Sequence, residues 1–204
     1  MESIQGKHCS HLDASALAAR LAGYVRVLVD LGTGDGRFVR ATATACPRTF
    51  AIGVDACRDN LREASRRASA NALYLIASAE ALPAELAGLA DHITINFPWG
   101  SLQRGLLADD HALPHGLAAL ARPAAVIEVR LNAGALAEQG WALHDGAACV
   151  QRNLCAAGFA MHPPAALDAA ALRACPTTWA RRLAVGRDPR AVALTGAYQC
   201  KYML

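Results

Sequence analysis

The chain alternates between short apolar runs that close on an acid or amide and stretches whose apolar positions recur at helical spacing. Val25-Arg26-Val27-Leu28-Val29-Asp30 is the first such run, followed at once by glycines. Thr49 to Val54 repeats the arrangement and ends at Asp55, Leu73 to Ala77 is a third, and His92 to Asn96 leads into Phe97-Pro98-Trp99-Gly100. Further strands are expected at Ala125 to Leu131, Phe159 to His162 and Ala191 to Tyr198. Short, largely apolar runs of this kind suit parallel strands buried on both faces. Helices are expected at Leu12 to Leu21, Arg37 to Ala45 (stopped near Pro47), Asp59 to Ala70, Pro83 to Leu89, Leu102 to Leu107, Leu117 to Leu120 and Val150 to Ala157. Strand and helix in alternation imply right-handed βαβ units. The fold class is therefore α/β, a Rossmann-like sheet of seven mostly parallel strands with helices on both faces. In such sheets ligands bind beyond the carboxyl ends of the strands, where Asp30, Asp55, Glu80 and Asn96 fall.

Composition narrows this only slightly. With 54% hydrophobic residues, much of it alanine, and 5% aromatics, the 204-residue chain suits alanine-lined helices on a sheet and is expected to be one domain, 1–204. Residues 1–24 read as an N-terminal extension with no apolar signal core, and no apolar run is long enough for a membrane span. Seven cysteines, at 9, 46, 57, 149, 155, 175 and 200, form no CxxC pair and no zinc spacing, so neither disulfides nor a metal are expected and a reducing cytoplasm is. The net charge of +3 is uninformative alone, but its distribution is not. Arg173, Arg181, Arg182, Arg187 and Arg190 fall in one stretch with a single acid, Asp188, a pattern suited to phosphate.

The first candidate for chemistry is Asp30-Leu31-Gly32-Thr33-Gly34-Asp35-Gly36, where strand one turns into helix one. Its glycines let the backbone turn sharply and approach a ligand. Carboxylates at Asp30 and Asp35 would repel a pyrophosphate, yet they attract an amino group and a sulfonium, and the third glycine of a dinucleotide fingerprint is missing. Asp55, about 19 residues beyond Gly36, is placed to accept from ribose hydroxyls. Together these favour S-adenosylmethionine (SAM) over NAD, and a class I SAM-dependent methyltransferase over a dehydrogenase. Cofactor candidates are Asp30, Gly32, Thr33, Gly34, Asp55, Ala79, Glu80 and Asn96.

Two tryptophans mark the substrate side. Asn96-Phe97-Pro98-Trp99 ends a strand where the methyl acceptor should lie, and it is similar to the Asn-Pro-Pro-aromatic loop of exocyclic-amine methyltransferases except at Phe97. The connection from Pro163 to Arg190 is long for a compact sheet and carries Trp179 among arginines, so 163–190 reads as a substrate-binding insertion. Trp99 and Trp179 offer two faces to stack one flipped base, and packing of either ring into the core is the plain alternative. His92, His111, His115 and His144 read as surface or structural.

The motifs Asp-Leu-Gly-Thr-Gly-Asp-Gly (30–36), Ala-Glu-Ala-Leu-Pro (79–83), Pro-Trp-Gly-Ser-Leu-x-Arg-Gly (98–105), Thr-Trp-Ala-Arg-Arg-Leu (178–183), Arg187-Asp188 and Ala-Leu-Thr-Gly (193–196) occur together. The chain thereby closely resembles, from about Val27 to Ala197, the aminoglycoside-resistance 16S rRNA (adenine(1408)-N1) methyltransferases. The resemblance implies SAM as methyl donor and 16S rRNA in the assembled 30S subunit as substrate. It further implies a cytoplasmic monomer, and a target adenine held between Trp99 and Trp179. Thr178, Arg181, Arg182, Arg187, Ser101 and Arg104 become the substrate-binding candidates. Methylation of another RNA base or a small molecule, or rRNA or SAM binding without turnover, remain open on the residues alone.

Overall fold

In the computed structural model, which describes residues 1–199, the elements follow in chain order. They are β1 (Glu2–Gln5), β2 (His8–His11), α1 (Ala14–Leu21), β3 (Arg26–Leu31), α2 (Arg37–Ala45), β4 (Thr49–Asp55), α3 (Arg58–Arg66) and β5 (Ala72–Ile76). A single 3-10 turn at Ala84–Leu86 precedes β6 (Ala90–Asn96), α4 (Gly100–Leu107), α5 (Ala112–Leu120), β7 (Ala121–Asn132), α6 (Ala133–Glu138) and α7 (Leu143–Ala156). The chain then runs through β8 (Phe159–Met161), β9 (Ala165–Ala166), α8 (Ala169–Ala174), α9 (Thr178–Val185) and β10 (Ala191–Tyr198).

One sheet of ten strands runs in the order β2-β1-β5-β4-β3-β6-β7-β10-β8, with β9 also paired to β10. The seven expected strands are β3, β4, β5, β6, β7, β8 and β10. From β5 to β7 the neighbours are parallel, and β10 runs against both β7 and β8. The order reverses between the neighbours β3 and β6, so the connections that leave them run to opposite sides and open a crevice at the carboxyl ends of the two strands.

Side chains alternate between two apolar layers, as the pleat requires. Leu28, Ala51, Ala72 and Tyr74 meet Val39 and Ala43 of α2 and Leu61 and Ala64 of α3. On the other face Val27, Val29, Leu31, Ile52, Val54 and Leu75 join the core formed with Leu17, Leu106, Leu117 and Leu154 from α1, α4, α5 and α7.

The departures from expectation have local causes. The N-terminal extension contains a hairpin whose β1 pairs antiparallel with β5 at the sheet edge. Gly6 at φ +61 supplies its tight turn, while its strands are too polar to announce themselves by alternation. The helix expected at 59–70 stops at Arg66, and that expected at 83–89 is only the 3-10 turn. The 163–190 connection holds β9, α8 and α9, with Asp168 and Thr177 capping the two helices through their side chains. It also has its own small core, in which Leu172, Cys175 and Ala180 close on Phe97 and Ala191. Cys200 lies outside the described residues; the cysteines at 9, 46, 57, 149, 155 and 175 are free thiols.

Candidate functional site

At the carboxyl ends of β3, β4 and β6 a cavity of about 550 Å³ is walled by the glycine loop on one side and the tryptophan-bearing segments on the other. Every cofactor candidate borders it: Asp30, Gly32, Thr33, Gly34, Asp55, Ala79, Glu80 and Asn96.

The loop is built by left-handed glycines. Gly32, Gly34 and Gly36 have φ of +68, +55 and +67, a region costly for any residue with a Cβ. A Cβ on Gly32 would also stand 2.5 Å from Leu102 Cδ2. The loop is tied to its surroundings by hydrogen bonds from Gly32 N and Thr33 N to the Val54 carbonyl, at 2.9 and 3.1 Å. Asp55, at the end of β4, accepts from Gly34 N through Oδ2 and from Cys57 N through Oδ1, both at 2.8 Å. Each oxygen keeps a further lone pair for a hydroxyl donor.

Asp30 is 1% exposed, and burial pushes its carboxyl up to about 6. Its Oδ1 accepts from Thr94 Oγ1 at 2.7 Å and from Asn96 Nδ2 at 2.9 Å, bonds that together with the charge of Arg130 oppose that rise. The Thr33 hydroxyl approaches the same carboxylate but completes no hydrogen bond and has no other partner. Arg130 organises this corner. It donates to Asn96 Oδ1 and, at 2.6 Å, to Glu128, and its guanidinium lies 5.8 Å from the centre of the Phe38 ring. Arg130 escaped the sequence reading, although Glu128 and Arg130 alternating with Ile127, Val129 and Leu131 was a visible polar stripe on a buried strand.

The loop after β6 departs from the amine-methyltransferase pattern for a structural reason. Phe97 has φ +52 and its N–H donates to the Arg130 carbonyl at 2.8 Å, neither of which a proline can reproduce. The Asn96 amide is engaged at both ends by Asp30 and Arg130. Phe97 is buried in the core of the insertion, so it anchors the loop against α8 and α9.

That anchoring brings the tryptophans together. Trp99 and Trp179 stack with ring centres 5.4 Å apart and planes 12° from parallel, while remaining 43% and 39% exposed. The Arg182 guanidinium sits 5.3 Å from the centre of the Trp179 ring. Thr178 Oγ1 donates to Asp35 Oδ2 at 2.5 Å, linking α9 directly to the glycine loop across 143 residues of chain. Asp35 also pairs with Arg37 at 3.0 Å.

Ser101, Thr178 and Arg182 border the cavity, as does Thr177, which the motif reading passed over. Arg104, Arg181 and Arg187 do not. Arg104 is exposed a turn further along α4, Arg187 follows the end of α9, and Arg181 points away from Arg182 into a different cleft. The acid of the basic stretch, Asp188, is committed to Arg190, whose hydrogen bonds hold its carboxyl down at about 2. None of the four singled-out histidines borders the cavity.

Carboxylates bordering the cavity, a cradle that only glycine fits, an unpartnered buried hydroxyl and a pair of aromatic faces at the mouth suit SAM and a planar acceptor. Fold and site together define a class I SAM-dependent methyltransferase. The family described as 16S rRNA (adenine(1408)-N(1))-methyltransferase, NpmA, matches residues 2–198, and the chain belongs to it. It is 33% identical to the enzyme of that description from Streptoalloteichus hindustanus, over 96% of this chain and 98% of that one. The crystal structure of the 16S rRNA methyltransferase KamB superposes with a TM-score of 0.89 at 29% identity, covering 98% of this chain and 100% of the other. A point mutant of the 16S rRNA (adenine(1408)-N(1))-methyltransferase from Catenulisporales acidiphilia, solved with the cosubstrate SAM, gives 0.86 at 26% identity over 99% and 98%.

Proposed function

We infer that this protein transfers the methyl group of SAM to N1 of adenine 1408 of 16S rRNA, the reaction named in the descriptions of its relatives, and thereby confers aminoglycoside resistance. The observation that carries the reading is the stacked Trp99–Trp179 pair at the mouth of the Asp30–Asp55 cavity. We further propose that the substrate is the assembled 30S subunit in the cytoplasm and that the protein acts as a monomeric single domain. No described helix is long and apolar enough to cross a membrane.

Bound SAM supplies an electrophilic methyl, and adenine N1 already carries the lone pair that accepts it, so no side chain has to remove a proton. The chain's task is to position. Asp30 and Asp55 hold the ammonium and ribose ends of the cofactor, with Gly32, Thr33, Gly34, Ala79, Glu80 and Asn96 completing the wall. Trp99 and Trp179 take the flipped base. A base between two faces needs them about 7 Å apart, twice a contact distance, so the 5.4 Å pair must part on entry. Stacking of about 1–3 kcal/mol on each ring then offsets the few kcal/mol that flipping costs. Arg182 behind Trp179 supplies a cation for the neighbouring phosphate, and Ser101, Arg104, Thr178, Arg181 and Arg187 extend the contact surface. A methyl and a positive charge on the Watson–Crick edge would then block the contacts an aminoglycoside makes there.

The test is primer extension across the decoding-site helix after incubating 30S subunits with the protein and SAM. A SAM-dependent stop at adenine 1408 is expected, and a labelled methyl entering rRNA elsewhere would move the target. Trp179→Ala should sharply reduce the stop while leaving SAM affinity within about twofold, since the ring lies at the cavity mouth and its loss removes a stacking face for the base. A collapse of SAM affinity in that variant would place Trp179 in the cofactor wall instead.

A further inference from the structure

A second cleft lies on a different face of α9 from the cofactor cavity. It measures about 420 Å³ and is bordered by Arg37, Arg40, Ala41, Thr44 and Ala45 of α2 and by Pro176 and Arg181 across from them. The α2 residues form one helical stripe, spaced i, i+3, i+4, i+7 and i+8, opposite the buried stripe of Val39 and Ala43. Two segments some 140 residues apart thus bring three arginines to the border of one space, and no carboxylate borders it. Among the described residues Arg40 and Arg181 enter no salt bridge, whereas Arg37 is engaged by Asp35. Like charges gathered around a shared cleft repel one another, a cost that a polyanion removes. The cleft has room for a phosphodiester with its waters, given about 30 Å³ for each water.

We propose that this cleft is a phosphate-binding subsite for the rRNA backbone, with Arg40 and Arg181 as its free cations. The inference rests on the rRNA methyltransferase reading and extends the RNA footprint beyond the insertion onto the helix that follows the glycine loop. Because Thr178 bonds Asp35, one turn of α9 carries both the base-stacking Trp179 and the phosphate-facing Arg181. Backbone contact in the cleft would therefore fix the register of the flipped base. Guanidinium groups suit the task, since their fork matches phosphate oxygens in a bidentate way.

The test measures binding of the full-length protein to purified 30S subunits across a potassium chloride series, with SAM affinity and thermal melting recorded on each variant. Wild type should show a steep linear fall of log affinity with log salt. Arg40→Gln should lower that slope by about 1 and weaken binding several-fold at low salt, and Arg40→Gln with Arg181→Gln should lower it by about 2. Arg40→Lys, which keeps the charge, should retain the wild-type slope, and SAM affinity should not change in any of the three. A wild-type slope in Arg40→Gln, with subunit binding intact, would overturn the cleft and leave the methyltransferase reading standing. Failure of the wild type to bind subunits at all would overturn both.

Discussion

Asp30 joins a cost of burial to the cofactor contact proposed for it. Its folded carboxyl sits at about 6, above the ordinary 3.8, because burial penalises the charge. A raised acid pKa means that the folded protein without cofactor holds the proton more tightly than the unfolded chain. The associated stability is full below 3.8 and is lost as pH rises through about 6. An ammonium beside Asp30 reverses the preference. SAM affinity should therefore weaken about tenfold from pH 7 to pH 5, with a midpoint near 6 and proton release on binding. In Asp30→Asn binding should be weak and flat with pH. Calorimetric SAM titrations over this range decide it, and a pH-independent wild type would remove Asp30 from ammonium recognition. Phe97 teaches a different lesson at the same scale. Its φ of +52 is an uncommon conformation for a bulky residue, held by burial in the insertion core and by its bond to the Arg130 carbonyl.

Among the elements, α9 is the piece that makes the site. It is eight residues long, too short to be stable alone, and it is held by the Thr177 cap, by Ala180 and Leu183 in the small core, and by Thr178 on Asp35. The Thr178–Asp35 bond links the glycine loop directly to the helix bearing Trp179. Thr178→Val should loosen Trp179 from its register and lower the methyl-transfer rate about fivefold, in line with about 1 kcal/mol for a charge-assisted bond at a half-exposed position. SAM affinity should stay within about twofold, and Thr178→Ser should restore the rate. Single-turnover kinetics on 30S subunits separate the two effects, and an unchanged rate in Thr178→Val would show that the bond is incidental. The N-terminal hairpin is the contrasting element. Its β1 pairs with the edge of β5, a partner far along the chain. The polar pattern of Glu2-Ser3-Ile4-Gln5 and His8-Cys9-Ser10-His11 gives no period-2 signal to read.

For the molecule as a whole, the cofactor loop, the sheet and the insertion converge on one cavity, so ligand binding should stabilise the entire fold. At a hundredfold excess over Kd, SAM should add about 2.7 kcal/mol and raise Tm by about 5–10 °C for a chain of this size. Asp55→Ala should abolish the shift, because it removes the acceptor for Gly34 N and Cys57 N together with the proposed ribose contact. Thermal melts with and without SAM check this, and a full shift in Asp55→Ala would mean that the cofactor lies elsewhere.

The sequence alone determined the βαβ order, the carboxylates at the strand ends and the identity of the glycine loop, because those features are local. Hydrophobic period, strand-terminal acids and left-handed glycine positions are all written within a few neighbouring residues. The two tryptophan motifs were legible for the same reason, as were the cofactor candidates, each of which borders the cavity. Tertiary structure alone decided what depends on distant partners. It assigned the Asn96 amide to Asp30 and Arg130, turned Arg181 from Arg182's cavity to the cleft with Arg40, left Arg104 and Arg187 off the cavity, and bonded Thr178 to Asp35. Successive residues on a helix point about 100° apart, so a run such as Arg181-Arg182 must serve two surfaces, and only the packing of α9 settles which arginine faces which.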